Sequence, residues 1–186
     1  MSLDKGITEA LSAIEPIADK APIILIDGRT GTGKTEFAQR LQNELFNILD
    51  QAPRVISMDD LYPGWGGSNE GALYLIRNIL IPLSKNQEAY WNSFDWETDS
   101  REEKLSSFAG GTPLIIEGCG SLSLASSELS DYAIWITAPE QTRRKRFYER
   151  DGGAFDEYFE KWSTQEDEFY STHRSAELAN LRVENP

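Results

Sequence analysis

The sequence predicts an α/β fold, a parallel β-sheet covered by helices on both faces. Three observations predict it. Short apolar, β-branched runs alternate with longer stretches of helical periodicity. The first of these runs passes at once into a glycine-rich segment that opens a helix. The runs also end in Asp, Glu or Gly, at the carboxyl edge where such sheets gather their ligands.

Taken in order, Leu3, Ile7, Leu11 and Ile14 recur at helical spacing among Asp4, Lys5, Glu9 and Glu15, giving an N-terminal helix over roughly 3 to 19, within residues 1–20. Charges interspersed in this way are foreign to a signal peptide, which points to the cytoplasm. Pro22-Ile23-Ile24-Leu25-Ile26-Asp27 reads as a strand buried on both faces. From Lys34, the positions Phe37, Leu41, Leu45 and Leu49 mark a helix ending near Asp50. Further strands are expected at 54–58, 113–117, 133–137 and, more weakly, 181–184. Helices fill 70–84, 139–150 and 155–174, and the stretch 97–112 is the least structured. With no repeat, low-complexity tract or linker, residues 1–186 read as one domain.

Composition narrows the chemistry. With 39% hydrophobic and 26% charged residues, the chain has the balance of a folded soluble protein rather than a membrane or disordered one. A formal net charge of -13 excludes nucleic acid as a general partner, because phosphate backbones are bound by clustered cations. Any anion site must be local. The lone Cys119 cannot form an internal disulfide, and no Cys/His set has zinc spacing, so a metal here is Mg²⁺ held by oxygen.

The glycine-rich segment is Gly28-Arg29-Thr30-Gly31-Thr32-Gly33-Lys34-Thr35, a Walker A P-loop in its proper setting between strand and helix. Its glycines let main-chain N–H groups turn toward a β-phosphate, Lys34 reaches the β and γ oxygens, and the Thr35 hydroxyl ligates Mg²⁺. The nucleotide is ATP by default, since no Asn-Lys-x-Asp guanine reader is present. Asp59-Asp60-Leu61-Tyr62 follows the second strand, so Asp59, with Asp60 in reserve, is placed to take a proton from an attacking hydroxyl. Glu117 ends the third strand in the position of a Walker B carboxylate, and with Thr35 and Asp59 it forms the expected oxygen set for Mg²⁺.

Residues 143–150 carry five of the eighteen Lys and Arg residues. On a helix Arg143, Arg146 and Arg150 share one face, able to lean over a triphosphate, whereas Arg144 points elsewhere. Tyr62, Trp65 and Trp96 bring aromatic rings near Asp59, where they either stack on an acceptor or pack the core. Between Asp59 and Thr112 only Arg77, Lys85, Arg101 and Lys104 face nine carboxylates. A phosphorylated acceptor calls for an Arg clamp, so an uncharged hydroxyl-bearing acceptor is favoured unless Arg77 or Arg101 supplies one.

This set of P-loop, Asp-Asp-Leu-Tyr, Ile-Ile-Glu-Gly and late Arg-rich helix resembles the uridine kinase and phosphoribulokinase superfamily across roughly residues 20 to 184. The resemblance implies a three-layer P-loop NTPase fold with a five-stranded parallel core and an Arg-bearing lid over 139–151. It implies transfer of the γ-phosphoryl group of ATP, with Mg²⁺, to a nucleoside or similar polyol. Asp59 falls on the base, with Leu61 replacing the usual aromatic; Glu117 falls on the strand-ending acid, and Arg143, Arg146 and Arg150 on the lid arginines. Two other classes stay open: an ATP-binding regulatory protein without small-molecule kinase activity, and a nucleoside monophosphate kinase.

Overall fold

The computed structural model describes residues 1–49 and 51–186, and of Asp151 the backbone alone. Its centre is a parallel sheet of five strands in the order β2-β5-β1-β6-β7, as the sequence predicts. The strands are β1 (Ile23–Asp27), β2 (Arg54–Ser57), β5 (Leu114–Glu117), β6 (Tyr132–Thr137) and β7 (Leu181–Glu184). Separate from it stands an antiparallel pair, β3 (Ala89–Asp95) and β4 (Ser100–Phe108).

Alternation along β1 divides the core into two layers. Ile24 and Ile26 face α1 (Leu3–Ile14) and α2 (Lys34–Leu49), packing with Ile14, Phe37, Leu41 and Leu45. Leu25 faces the opposite side, where Leu75, Ile79, Tyr62 and Trp162 close over Ile56 and Ile116. That second layer comes from α3 (Ser68–Leu75), a π-helical segment (Ile76–Leu80) running into α4 (Ile81–Ser84), and α7 (Asp156–His173). The short helices α5 (Leu124–Ser127) and α8 (Ser175–Leu178) fill connections, and α6 (Glu140–Asp151) precedes α7. Among the described residues no helix is long and apolar enough to cross a membrane.

The register fixes the carboxyl edge. Glu117 lies opposite Ile26 on one side and Ser57 on the other, so the ends of β1, β5 and β2 are level. The loop after β1, Glu117 and the turn after β2 therefore open on one edge.

Several boundaries differ from expectation. The N-terminal helix is regular only to Ile14 and continues as a 3₁₀ turn over Glu15–Lys20, because Pro16 has no N–H to give an α-helical ladder. The single helix expected over 70–84 is broken by the π-helical segment. The end set near Asp50 lies outside the described residues. The largest correction is the stretch 97–112, read as least structured, which contains β4. Most of β4 is exposed, so it lacks the apolar alternation that marks a half-buried strand. Tertiary contacts hold it: the Arg101 guanidinium donates to Asn92 O at 2.9 Å and Leu61 O at 2.8 Å, and lies 3.7 Å from the Tyr74 ring centre.

Gly71 marks a close approach in the second layer. A Cβ built there would sit 2.4 Å from Tyr62 Cδ1, and Tyr62 is buried at 1% exposure, with little room to yield. Gly71→Ala should lower the urea-unfolding free energy by about 1–3 kcal/mol through overpacking; an unchanged midpoint would show that the Tyr62 ring moves freely.

Candidate active site

At the end of β1 the chain must turn away from β6. Gly28 has φ +149°, and a Cβ there would lie 2.1 Å from Ile136 O, so only glycine fits. Asp27, fully buried just before it, ties the turn down. Its Oδ1 accepts from Gly28 N at 2.6 Å, Gly120 N at 3.0 Å and the Tyr170 hydroxyl at 2.8 Å. Its Oδ2 accepts from Leu122 N at 2.8 Å. Burial dominates these donors and pushes the Asp27 pKa up to about 6.

Lys34 begins α2 and folds back across the loop, donating to Arg29 O at 3.0 Å and to Cys119 Sγ at 3.3 Å. Burial by itself would depress its ammonium; Cys119 and the Glu117, Glu166 and Asp27 carboxylates outweigh that and hold its pKa raised. Glu117 Oε1 accepts from the Thr35 hydroxyl at 3.2 Å and the Ser57 hydroxyl at 3.1 Å. Burial first, and then the nearby Asp59 charge, raise the Glu117 pKa against the pull of Lys34. These hard oxygen donors suit Mg²⁺. No group of three or more His, Cys, Asp or Glu among the described residues could hold a metal alone. The set matches Mg²⁺, which characteristically takes one or two carboxylates together with nucleotide phosphates.

Asp59 and Asp60 are exposed at the turn after β2. Partial desolvation by its neighbours, reinforced by the Asp59 and Glu102 charges, raises the pKa of Asp60 although its surface is open to water. Trp96 Nε1 donates to Asp59 O at 2.9 Å, and the Trp96 ring lies edge-on to Trp65, 5.2 Å between centres. Trp65 in turn stacks on Tyr158 at 4.5 Å. Both readings of these aromatics have a place: Trp65 is half-buried in an aromatic cluster, while Trp96 is 38% exposed beside Asp59.

Two expectations change. Tyr62, placed with the substrate residues, is buried at 1% exposure, and its hydroxyl donates to Cys119 O at 2.5 Å. It braces the turn after β5 and does not face an acceptor. Of the three arginines of α6, two rest on the loop and one does not. Arg143 is buried and donates to Thr30 O at 3.3 Å; Arg146 donates to Gly31 O at 3.5 Å, Asn185 O at 3.1 Å and Pro186 O at 3.2 Å; Arg150 lies 5.4 Å from the Phe147 ring centre. The cause is close packing of α6 on the loop, where a Cβ at Gly31 would meet Arg143 O at 2.4 Å. Arg144 points elsewhere as expected, pairing with Glu140 and Glu160.

Sequence reasoning passed over three residues that shape the site: Asp27, Glu166 and Tyr170. Asp27 carried a signal, a charge ending an apolar strand. Glu166 and Tyr170 had none, being one turn apart on an acidic helix whose facing partner is set only by the fold.

A family model described as an AAA domain matches residues 24–161. Among curated proteins none matches the chain. Solved structures share the fold. A protein described as a possible uridine kinase from Bacillus stearothermophilus superposes with a TM-score of 0.71 at 18% identity, covering 98% of this chain and 100% of the other. A candidate fructose transport system kinase from Silicibacter sp. gives 0.68 at 17%, covering 98% of each. D-glycerate 3-kinase from Cryptococcus neoformans gives 0.52 at 12%, covering 90% and 85%. The likeness is one of fold, and it bears out the three-layer architecture implied by the resemblance to the uridine kinase and phosphoribulokinase superfamily.

Tyr62→Phe should cost about 1–3 kcal/mol of stability, because the buried Cys119 carbonyl loses its donor, while leaving the KM for any acceptor unchanged; a raised KM would return Tyr62 to the substrate. Asp27 predicts a pH effect of definite sign. Its folded pKa lies above the unfolded one, so the native state binds the extra proton and the contribution is whole below about pH 4. It is lost as pH rises through about 6, by about 3 kcal/mol in all. The stability difference between wild type and Asp27→Asn, followed by denaturant titration from pH 4 to 7, should fall across that window; a flat difference would remove the assignment.

Proposed function

The chain belongs to the AAA domain family, and from that premise we propose that it is an ATP-dependent phosphotransferase, moving the γ-phosphoryl group to a hydroxyl of a small molecule, a nucleoside or similar polyol. The observation that carries the reading is the level carboxyl edge. Glu117 shares a hydrogen bond with Thr35 of the loop, and the strand beside it leads directly into Asp59. A phosphate grip and a proton acceptor thus open on the same edge, the arrangement that transfer requires and storage of a nucleotide does not. Likeness to folds described as kinases supports the same reading.

In this reading the main-chain N–H groups of residues 28–35 and the Lys34 ammonium bind the phosphates and stabilise charge on the transferring group. The Thr35 hydroxyl and the Glu117 and Asp59 carboxylates would hold Mg²⁺, which would supply neutralisation of phosphate charge. Asp59 accepts the hydroxyl proton as the acceptor oxygen bonds to the γ-phosphorus and the bond to the β,γ-bridging oxygen breaks, leaving ADP. Asp60 is the reserve base. Trp65 and Trp96 flank the acceptor, and α6, already packed on the loop as its lid, holds Arg143 and Arg146 beside the phosphates, with Arg150 one turn further along the same helix.

The acceptor is uncharged. Arg101, one of the two residues that could clamp a phosphorylated acceptor, is committed to Asn92 O, Leu61 O and the Tyr74 ring. This weighs against a nucleoside monophosphate. A screen of nucleosides, polyols and nucleoside monophosphates with ATP and Mg²⁺, reading ADP release, tests the proposal. An uncharged acceptor should raise release above background, and Asp59→Asn should lower kcat by about 10²–10⁴-fold. Release unchanged by every acceptor, with ATP still bound, would favour a regulatory ATP-binding protein; full activity of Asp59→Asn would move the base to Asp60.

A further inference from the structure

Glu166 is an acid on α7 that reaches into the mouth of the loop. It is 1% exposed. Its Oε1 accepts from Thr30 N at 2.6 Å and from the Cys119 thiol at 3.3 Å. Its Oε2 has no hydrogen-bond partner, although Arg29 Nη1 lies 3.5 Å away and Arg143 Nη1 4.0 Å away. Lys34 stands in the same cluster, its Nζ bonded to the Cys119 sulfur that also faces Glu166.

A buried carboxylate oxygen left without a donor is costly, and the groups around it show what would suit the place better. They are a loop N–H, a P-loop ammonium and two guanidiniums. A carboxylate offers two oxygens in a plane, and here one serves Thr30 and Cys119 while the other meets the two arginines as ion pairs without a formed hydrogen bond, Arg29 being hydrogen-bonded instead to Asp167. A phosphoryl group offers three oxygens spread around a tetrahedron and carries more charge, enough to engage the N–H and the arginines together. Main-chain N–H groups at the head of such a helix are natural phosphate donors, and that of Thr30 is already occupied.

We propose that the Glu166 carboxylate holds the γ-phosphoryl subsite of the loop as an internal anion, and that an arriving triphosphate expels it to take over Thr30 N–H, Arg29 and Arg143. This rests on the reading of the chain as an ATP-binding phosphotransferase. Glu166 is thereby a positioning residue that discriminates between nucleotides: ATP must displace it, whereas ADP leaves it in place. Its release reaches the acceptor side through α7. Gln165, the adjacent residue, donates to Trp65 O at 2.8 Å and accepts from Ser68 N at 3.3 Å, and Trp162, one turn earlier, packs on Tyr62 and Trp65.

The test is calorimetric titration of the full chain with Mg²⁺ and either ADP or a β,γ-imido analogue of ATP. Glu166→Gln should tighten the triphosphate about tenfold by removing like-charge repulsion, and change ADP by less than about twofold. Glu166→Asp, which withdraws the carboxylate by one methylene, should shift the triphosphate in the same direction by less, and it carries the test if the Gln variant fails to fold. Equal tightening of both nucleotides, no change, or a weakened triphosphate would overturn the proposal, since a residue that merely shapes the loop would not alter the ratio. If wild type binds neither nucleotide, the proposed function falls as well; if it binds both and the ratio stays fixed, only the role of Glu166 falls.

Discussion

The buried Asp27 carboxylate is the knot on which the site depends. Four donors meet on it: the first N–H of the P-loop, two N–H groups of the turn after β5, and the Tyr170 hydroxyl of α7. A single side chain thus fixes the loop, the turn after the Glu117 strand and the helix behind them to a common point. Burial works against its charge, and the four hydrogen bonds answer that cost only in part, which is why its pKa settles near 6 rather than in the ordinary carboxylate range.

Around that knot the charges form a balanced cluster. Lys34 lies among Glu117, Glu166 and Asp27, and each carboxylate has a separate task. Asp27 anchors the backbone, Glu117 joins Thr35 to the neighbouring strand through Ser57, and Glu166 meets the loop from α7. Desolvating so many ionised groups is unfavourable unless each is paired or hydrogen-bonded. Among the described residues Glu166 Oε2 is the buried side-chain oxygen without a hydrogen bond, and it is held by ion pairs with Arg29 at 3.5 Å and Arg143 at 4.0 Å.

The region beside the Asp59 turn is built by different physics. It is aromatic, with Trp65 between Tyr158, Trp96 and Trp162. The β3–β4 pair frames it through Arg101, which crosses to Leu61 O and lies on the Tyr74 ring. A guanidinium so engaged braces the hairpin instead of offering itself to a substrate, leaving the surrounding carboxylates to set the local potential.

By itself the sequence determined the P-loop at residues 28–35, the five parallel strands and the placing of Glu117 and Asp59 at one edge of the sheet. Those features are legible because they are local: a motif of fixed spacing, apolar runs of strand length, and acids at their ends. Only the tertiary structure decided that Tyr62 is buried, that 100–108 is a strand, that Arg143 lies against Thr30 and that Glu166 meets the same residue from the other side. Those contacts join positions 113 and 136 residues apart in the chain. Neither Arg143 in a basic run nor Glu166 in an acidic helix carries a pattern that tells a solvated charge from a buried one. The difference arises because α6 and α7 pack on the loop and remove water from those two side chains while Arg144 and Asp167 beside them stay exposed.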